Sequence, residues 1–138
     1  MAEKTVSGEI TENYVVKAHS EGFTYTMDFA ERTQNALTQG TSPTGLLLSA
    51  LAGCHLMTAR SYLDARHILF NQLKVVIDGD FVNGKTSWTL DAQVTLKTDA
   101  QLDNKQLNAL EKFIMRHCTV SSILQHGNQI KCLTELLR

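Results

Sequence analysis

Apolar and polar residues alternate through the first thirty positions. Val6 to Ile10 and Tyr14 to Ala18 each follow a period of two, and Phe23, Tyr25, Met27 and Phe29 then share one face against Thr24, Thr26 and Asp28. A period of two places successive side chains on opposite faces of a strand, so this region is expected to form a three-stranded antiparallel meander. Residues 30–41 lose the pattern and run through Glu, Arg, Thr, Gln, Asn and Gly, the composition of a loop. Ser42-Pro43 then signals a helix start. Serine can cap the free amides, and proline at the first helical position gives up no bond and brings a suitable φ. The helix is expected over residues 43–65. Residues 46–54 are apolar nearly all round, a pattern that an exposed amphipathic helix would not carry. It is therefore expected to be a central, buried helix.

Alternation returns at residues 74–81 and again at 88–97, predicting a second strand pair. Asn83-Gly84 between them predicts a type I′ hairpin turn, which needs positive φ at both central positions. Asp103 caps the next helix, with Gln106 completing a capping box and Leu102 and Leu107 placed for a hydrophobic staple. Leu107, Leu110, Ile114 and Cys118 share one face of that helix, which breaks and restarts near Cys118. His126-Gly127 ends the helical region, and residues 130–133 read as a last short strand with Cys132 facing the core. The order is strands, helix, hairpin, helices, strand: an α+β chain with helices packed on antiparallel sheet, one domain over residues 1–138. One chain of this size has few elements to cover an all-round apolar helix. An intertwined homodimer whose two antiparallel sheets enclose the long buried central helices is the expected solution.

Composition narrows the chemistry. The chain has 138 residues, 43% of them hydrophobic, enough for one ordinary core. A net charge of −1 without any basic run argues against a nucleic acid or anionic membrane partner. The N-terminal residues lack a basic-then-apolar leader, and the apolar stretch at 46–52 is too short to span a bilayer, so a cytoplasmic location is expected. Three cysteines, with no Cys-x-x-Cys or His-x-x-x-His pair, form neither a disulfide framework nor a zinc site. Any cysteine function is therefore redox or nucleophilic. Cys54 has Leu47, Ala50, Leu51, Met57 and Thr58 as same-face neighbours, a dry environment that would raise its pKa. It is either a small core residue or a nucleophile activated by a cation or donor from elsewhere in the fold. Cys118, at the start of a second helical segment, would meet free backbone amides able to stabilise a thiolate. His55 and His117 adjoin the cysteines in sequence, but neighbouring helical positions point about 100° apart, which assigns both to surface or satisfied core roles.

Thr41-Ser42-Pro43-Thr44-Gly45, continued by an apolar helix that ends in Ala52-Gly53-Cys54, resembles the first cysteine motif of the OsmC/Ohr family, Asn/Ser-Pro then Ala/Gly-Cys. Cys118-Thr119-Val120-Ser121-Ser122-Ile123-Leu124 resembles the second, Cys-Pro-Val followed by polar residues and Leu, and the cysteine spacing, 118 minus 54 or 64 residues, is of the family's kind. The resemblance covers nearly the whole chain. It implies an OsmC-like fold, a homodimer, and a thiol peroxidase that reduces organic hydroperoxides. In that mechanism Cys54 attacks the peroxide, Cys118 traps the resulting sulfenic acid as a disulfide, and a dithiol reductant, lipoyl-linked in some members, resets the pair. No metal, haem or flavin cofactor is required. Tyr62 and Trp88, expected in the core, would build an apolar pocket favouring a bulky organic peroxide. The family's peroxidases also hold the thiolate with an Arg oriented by a Glu just after the Asn/Ser-Pro. Here Thr44 and Gly45 occupy that place, and Arg32, beside Glu31 in the preceding loop, is the candidate Arg. Two other readings remain: a non-catalytic member of the fold that binds an apolar small molecule, and a hotdog-type thioesterase. The latter lacks an acidic residue at the helix start to activate water.

Overall fold

The computed structural model describes residues 3–10, 13–29 and 38–137, and the chain divides into two compact units, Met1–Ser49 and Ala50–Arg138. In the first, β1 (Ser7–Ile10), β2 (Val16–Ser20) and β3 (Phe23–Met27) form the antiparallel meander in the order β1-β2-β3. The β2 to β3 register pairs Lys17 with Thr26 and His19 with Thr24, and both pairs are hydrogen-bonded through their side chains, at 2.7 and 2.9 Å. Ser20 pairs with Phe23, leaving Glu21 and Gly22 as a two-residue turn with φ of 53° and 84°. Positive φ at both positions matches the right-handed twist of the flanking strands. After β3 the chain is tied to the start of the next element: the Asp28 amide donates to the Thr41 carbonyl at 3.1 Å, and the Asp28 carboxylate accepts the amide of Gln39 at 3.0 Å.

α1 (Pro43–Ala65) begins where the sequence signals it, with the Gly45 amide donating to Ser42 Oγ at 3.1 Å and the Leu46 amide to the Ser42 carbonyl at 2.9 Å. It crosses from the first unit into the second. There it buries one stripe, Leu51, His55, Ala59, Tyr62 and Leu63, at the spacing of a single helix face. The expected burial on every side is not found within one chain, since Met57 is 76% exposed. The stripe packs on Leu110 and Ile114 of α2 (Asn104–His117) and on Cys118, which precedes α3 (Thr119–Gln125). Leu63, Leu110 and Cys118 are fully buried.

β4 (Leu73–Asn83) and β5 (Trp88–Thr98) pair antiparallel over eleven positions. Alternation puts Leu73 and Ile77 from β4, and Val94 and Leu96 from β5, against this core. Three expectations fail here. The turn at Asn83-Gly84 is not type I′: Asn83 still pairs with Trp88, and Gly84 donates its amide to the Ser87 carbonyl at 3.0 Å, so four residues make the connection. The longer connection allows the register in which Ile77 meets Val94 and Val75 meets Leu96 while the ladder keeps its full length. Trp88, at the open end of that ladder, is 65% exposed rather than in the core. Residues 130–133 form no strand, because no described strand pairs with them; Ile130 is 94% exposed and Cys132 is exposed, not core-facing.

Candidate active site at the cysteine pair

The site begins with the way α2 ends. The Cys118 amide closes α2 on the Ile114 carbonyl at 2.8 Å, and the backbone then extends at Cys118, with φ −72° and ψ 105°, before helical geometry resumes in α3. Cys118 is thus the last residue of one helix and the cap of the next. Its carbonyl accepts the Ser122 amide at 3.0 Å, but no side-chain hydrogen bond caps α3. The amides of the first turn have no carbonyl one turn earlier to receive them. Cys118 belongs to a buried cluster with Leu110 and Ile114, and Cys54 and Val120 pack against that same cluster. One turn beyond Cys54 on α1, the Thr58 hydroxyl donates to the Cys54 carbonyl at 2.7 Å.

These contacts divide the pair electrostatically. Burial pushes the Cys54 thiol up, but the Val120 amide, the Cys118 thiol, the Thr119 amide and the Thr58 hydroxyl together outweigh it, and Cys54 ends below the ordinary thiol value. Burial also pushes Cys118 up. The Ser121 amide opposes this, while the hydrogen bond and charge of Cys54 add to it, so Cys118 ends above the ordinary value. The two directions make Cys54 the more acidic thiol of the pair and Cys118 the less acidic one. The surroundings of Cys54 are not simply dry: it is half-buried, and its thiol ends below the ordinary value. Thr58, Thr119 and Val120 were not singled out as donors in the sequence. Thr58 was signalled by its spacing of four from Cys54, and the amides by a helix restart with no Ser, Asp or Asn at its cap.

Arg32 and Glu31 lie outside the described residues. At the position of the absent Glu, a Cβ on Gly45 would fall 2.4 Å from Thr41 Oγ1, so the turn that caps α1 with Ser42 holds no side chain there without displacing Thr41. The first turn of α1 carries no acidic residue, leaving the thioesterase reading without a carboxylate to activate water. His55 is buried, burial lowers its pKa, and it lines a cavity of about 570 Å³ together with Leu51, Leu110 and Ile114. Neither Cys54 nor Cys118 lines that cavity, although Ser121 of α3 does. His117 stacks on Phe113 at 4.4 Å, and Phe113 on Tyr62 at 5.1 Å, a packed aromatic role. Among the described residues no group of three or more His, Cys, Asp or Glu could hold a metal, and no helix is long and apolar enough to cross a membrane.

Two antiparallel sheets, a long helix carrying one cysteine, and a second cysteine at a helix break against the first define an α+β protein with a paired-thiol site. The chain belongs to the OsmC family: residues 34–132 match the family model described as OsmC-like protein. None of the curated proteins matches the chain in sequence. Among solved structures, an OsmC-like protein from Mycoplasma pneumoniae shares 23% identity over 90% of this chain and 88% of its own, with a TM-score of 0.77. An organic hydroperoxide resistance protein OsmC from Legionella pneumophila, also described as a predicted redox protein, shares 14% over 88% of each chain at a TM-score of 0.67. An organic hydroperoxide resistance protein from Elizabethkingia anophelis shares 10% over 88% of this chain and 87% of its own at 0.69. At these identities the likeness is one of fold.

Proposed function

We propose that the protein is a thiol-dependent reductase of organic hydroperoxides in which Cys54 is the nucleophile and Cys118 the resolving thiol. The observation that carries this reading is that Cys54 packs against the buried cluster that contains Cys118, with the Cys54 thiol shifted down and the Cys118 thiol shifted up. The Cys54 thiolate attacks a peroxide oxygen. A sulfur–oxygen bond forms, the oxygen–oxygen bond breaks, and the departing alkoxide takes a proton to leave as an alcohol; sulfur is oxidised to sulfenic acid and the peroxide is reduced. The Cys118 sulfur then attacks the sulfenic sulfur, forming a disulfide as the hydroxyl leaves with the Cys118 proton as water. A dithiol reductant restores both thiols by exchange and is itself left as a disulfide.

The working unit in this reading is a cytoplasmic homodimer. A two-stranded hairpin is marginal on its own, and among the described residues no third strand joins β4–β5. Met57 of α1 and Ile123 of α3 are 76% and 51% exposed, apolar surface on the two helices that meet at the cysteines. Purified protein with a dithiol present is expected to consume cumene hydroperoxide, and Cys118→Ser to stop after one equivalent with a dimedone-reactive Cys54. No consumption by the wild type, or equal consumption by Cys54→Ser, would sink the proposal.

One observation favours a second reading, binding of an apolar small molecule: the largely aliphatic cavity beside His55 is lined by neither cysteine. A ligand retained through purification and identified by mass spectrometry, with both thiols inert to mild alkylation at neutral pH, would decide for it.

A further inference from the structure

A side-chain nitrogen taken out of water ordinarily keeps a hydrogen bond, because the solvation it loses is otherwise unreplaced. His55 departs from this rule. It is 8% exposed, and among the described residues no group hydrogen-bonds to its ring. No side-chain nitrogen or oxygen among those residues is sealed from solvent without a partner, so the His55 nitrogens open onto the cavity of about 570 Å³ that the residue lines. That volume falls within the range of small-molecule sites, about 300–1,000 Å³. Every residue lining it belongs to the second unit, and Leu51, Val94, Leu96, Leu110 and Ile114 give it an aliphatic interior. Ser121, Gln125 and Thr98, also in the lining, have partners of their own: the Gln125 amide donates to Ser121 Oγ at 2.8 Å, and Thr98 Oγ1 accepts the Ala100 amide at 3.1 Å. Asp91 and Glu111 line it too, both exposed, and among the described residues no Lys or Arg joins them. The cavity is turned away from the apolar surface assigned to the second copy. Met57 is two positions from His55 and Ile123 two from Ser121, and two helical positions point about 200° apart.

We propose that this cavity binds a small uncharged molecule with an apolar body and one hydroxyl, the body against Leu51, Leu110 and Ile114 and the hydroxyl hydrogen-bonded to His55. The inference rests on the reading of the cavity as a small-molecule site and makes no use of the thiols. Burial lowers the His55 pKa, so the ring is neutral near pH 7 and offers one donor and one acceptor. A hydroxyl matches either. The aliphatic interior favours an apolar body by removing it from water. An anionic ligand is disfavoured, because its charge would meet the Asp91 and Glu111 carboxylates and no cation of the lining.

Three matched probes separate body, hydroxyl and charge: propylbenzene, propylphenol and propylbenzoate, each titrated into the full chain near neutral pH and followed by nuclear magnetic resonance of the protein. Propylphenol is expected to bind about tenfold more tightly than propylbenzene, the scale of one net hydrogen bond. Propylbenzoate is expected to bind more weakly than propylphenol. His55→Phe keeps a ring of similar size without its nitrogens; in it propylbenzene should still bind and the phenol should lose its advantage. Equal binding of propylphenol and propylbenzene to the wild type, or a phenol advantage that survives in His55→Phe, overturns the proposal while leaving the cavity a small-molecule site. Propylbenzoate binding as tightly as propylphenol also overturns it. Binding of none of the three overturns both the proposal and the reading beneath it. Should His55→Phe not fold, the wild type still decides: the His55 ring-nitrogen resonances should move with propylphenol and not with propylbenzene, and a ring indifferent to the phenol overturns the proposal.

Discussion

The starts of α2 and α3 have the same problem and different solutions. In α2, Asp103 accepts the Gln106 amide at 2.7 Å and the Gln106 side chain accepts the Asp103 amide at 3.0 Å, so orphan donors are satisfied locally by oxygen. In α3, seven residues long, Cys118 stands at the cap in an extended conformation and no side-chain hydrogen bond closes the turn. The first arrangement uses amides to hold a helix in place. The second leaves the start of the helix to the packing of Cys118 in the buried cluster. A helix start that lacks its customary side chain is therefore worth reading through what packs at its cap rather than as a defect.

The widest separation between the two starts is expected from Cys54→Ser, which should lower hydroperoxide turnover by roughly a thousandfold, the consequence of losing a nucleophile, while leaving the melting temperature little changed. Next comes Leu110→Ala in α2. Leu110 is fully buried, and the cavity should cost about 2–5 kcal/mol, visible as a lower denaturation midpoint. The apparent pKa of Cys54 in the molecules that remain folded should not move. Asp103→Ala should cost about 1 kcal/mol by calorimetry, with the Cys54 alkylation rate unchanged. If Asp103→Ala instead alters that rate, the two helix starts are coupled and the contrast fails. The smallest effect concerns His55, whose pKa is lowered by burial. The unfolded chain takes up this proton first, so stability is complete above the ordinary value of 6.5 and declines as pH falls below it. Denaturant titrations at pH 7.5 and 5.5 should show the decline, and His55→Gln should flatten it. A slope that is unchanged in His55→Gln would assign the acid sensitivity to other groups.

Local chemistry was legible in the sequence. Alternation located β2, β3, β4 and β5, Ser42-Pro43 located the start of α1, and Asp103 with Gln106 gave the capping box. Each of these signals is complete within a few residues. What the sequence did not reveal depends on partners remote along the chain. The cluster that holds Cys118 and receives Cys54 joins α1 to the end of α2, and no local pattern announces that packing. Turn geometry failed for a related reason: Asn83-Gly84 has the composition for a tight hairpin, but the pairing of Ile77 with Val94 and Val75 with Leu96 sets the register and takes Asn83 into the ladder. Glu21-Gly22, with a less typical first residue, adopts the two-residue turn instead because Ser20 and Phe23 pair on either side of it.

The segment after α3 has a practical consequence. Ile130, Leu133, Leu136 and Leu137 are 94%, 81%, 69% and 93% exposed, in a stretch that pairs with no strand among the described residues. Water penalises each such side chain by about 1.5–3 kcal/mol relative to burial, and an exposed apolar ribbon adheres to similar ribbons. Lys131 and Glu135 interrupt it, the placement of charges that restrain runaway stacking. Newly synthesised or diluted chains should consequently be the sticky ones: recovery after refolding should depend on how quickly this ribbon finds cover, and clipping it off by protease should leave a chain that precipitates less readily.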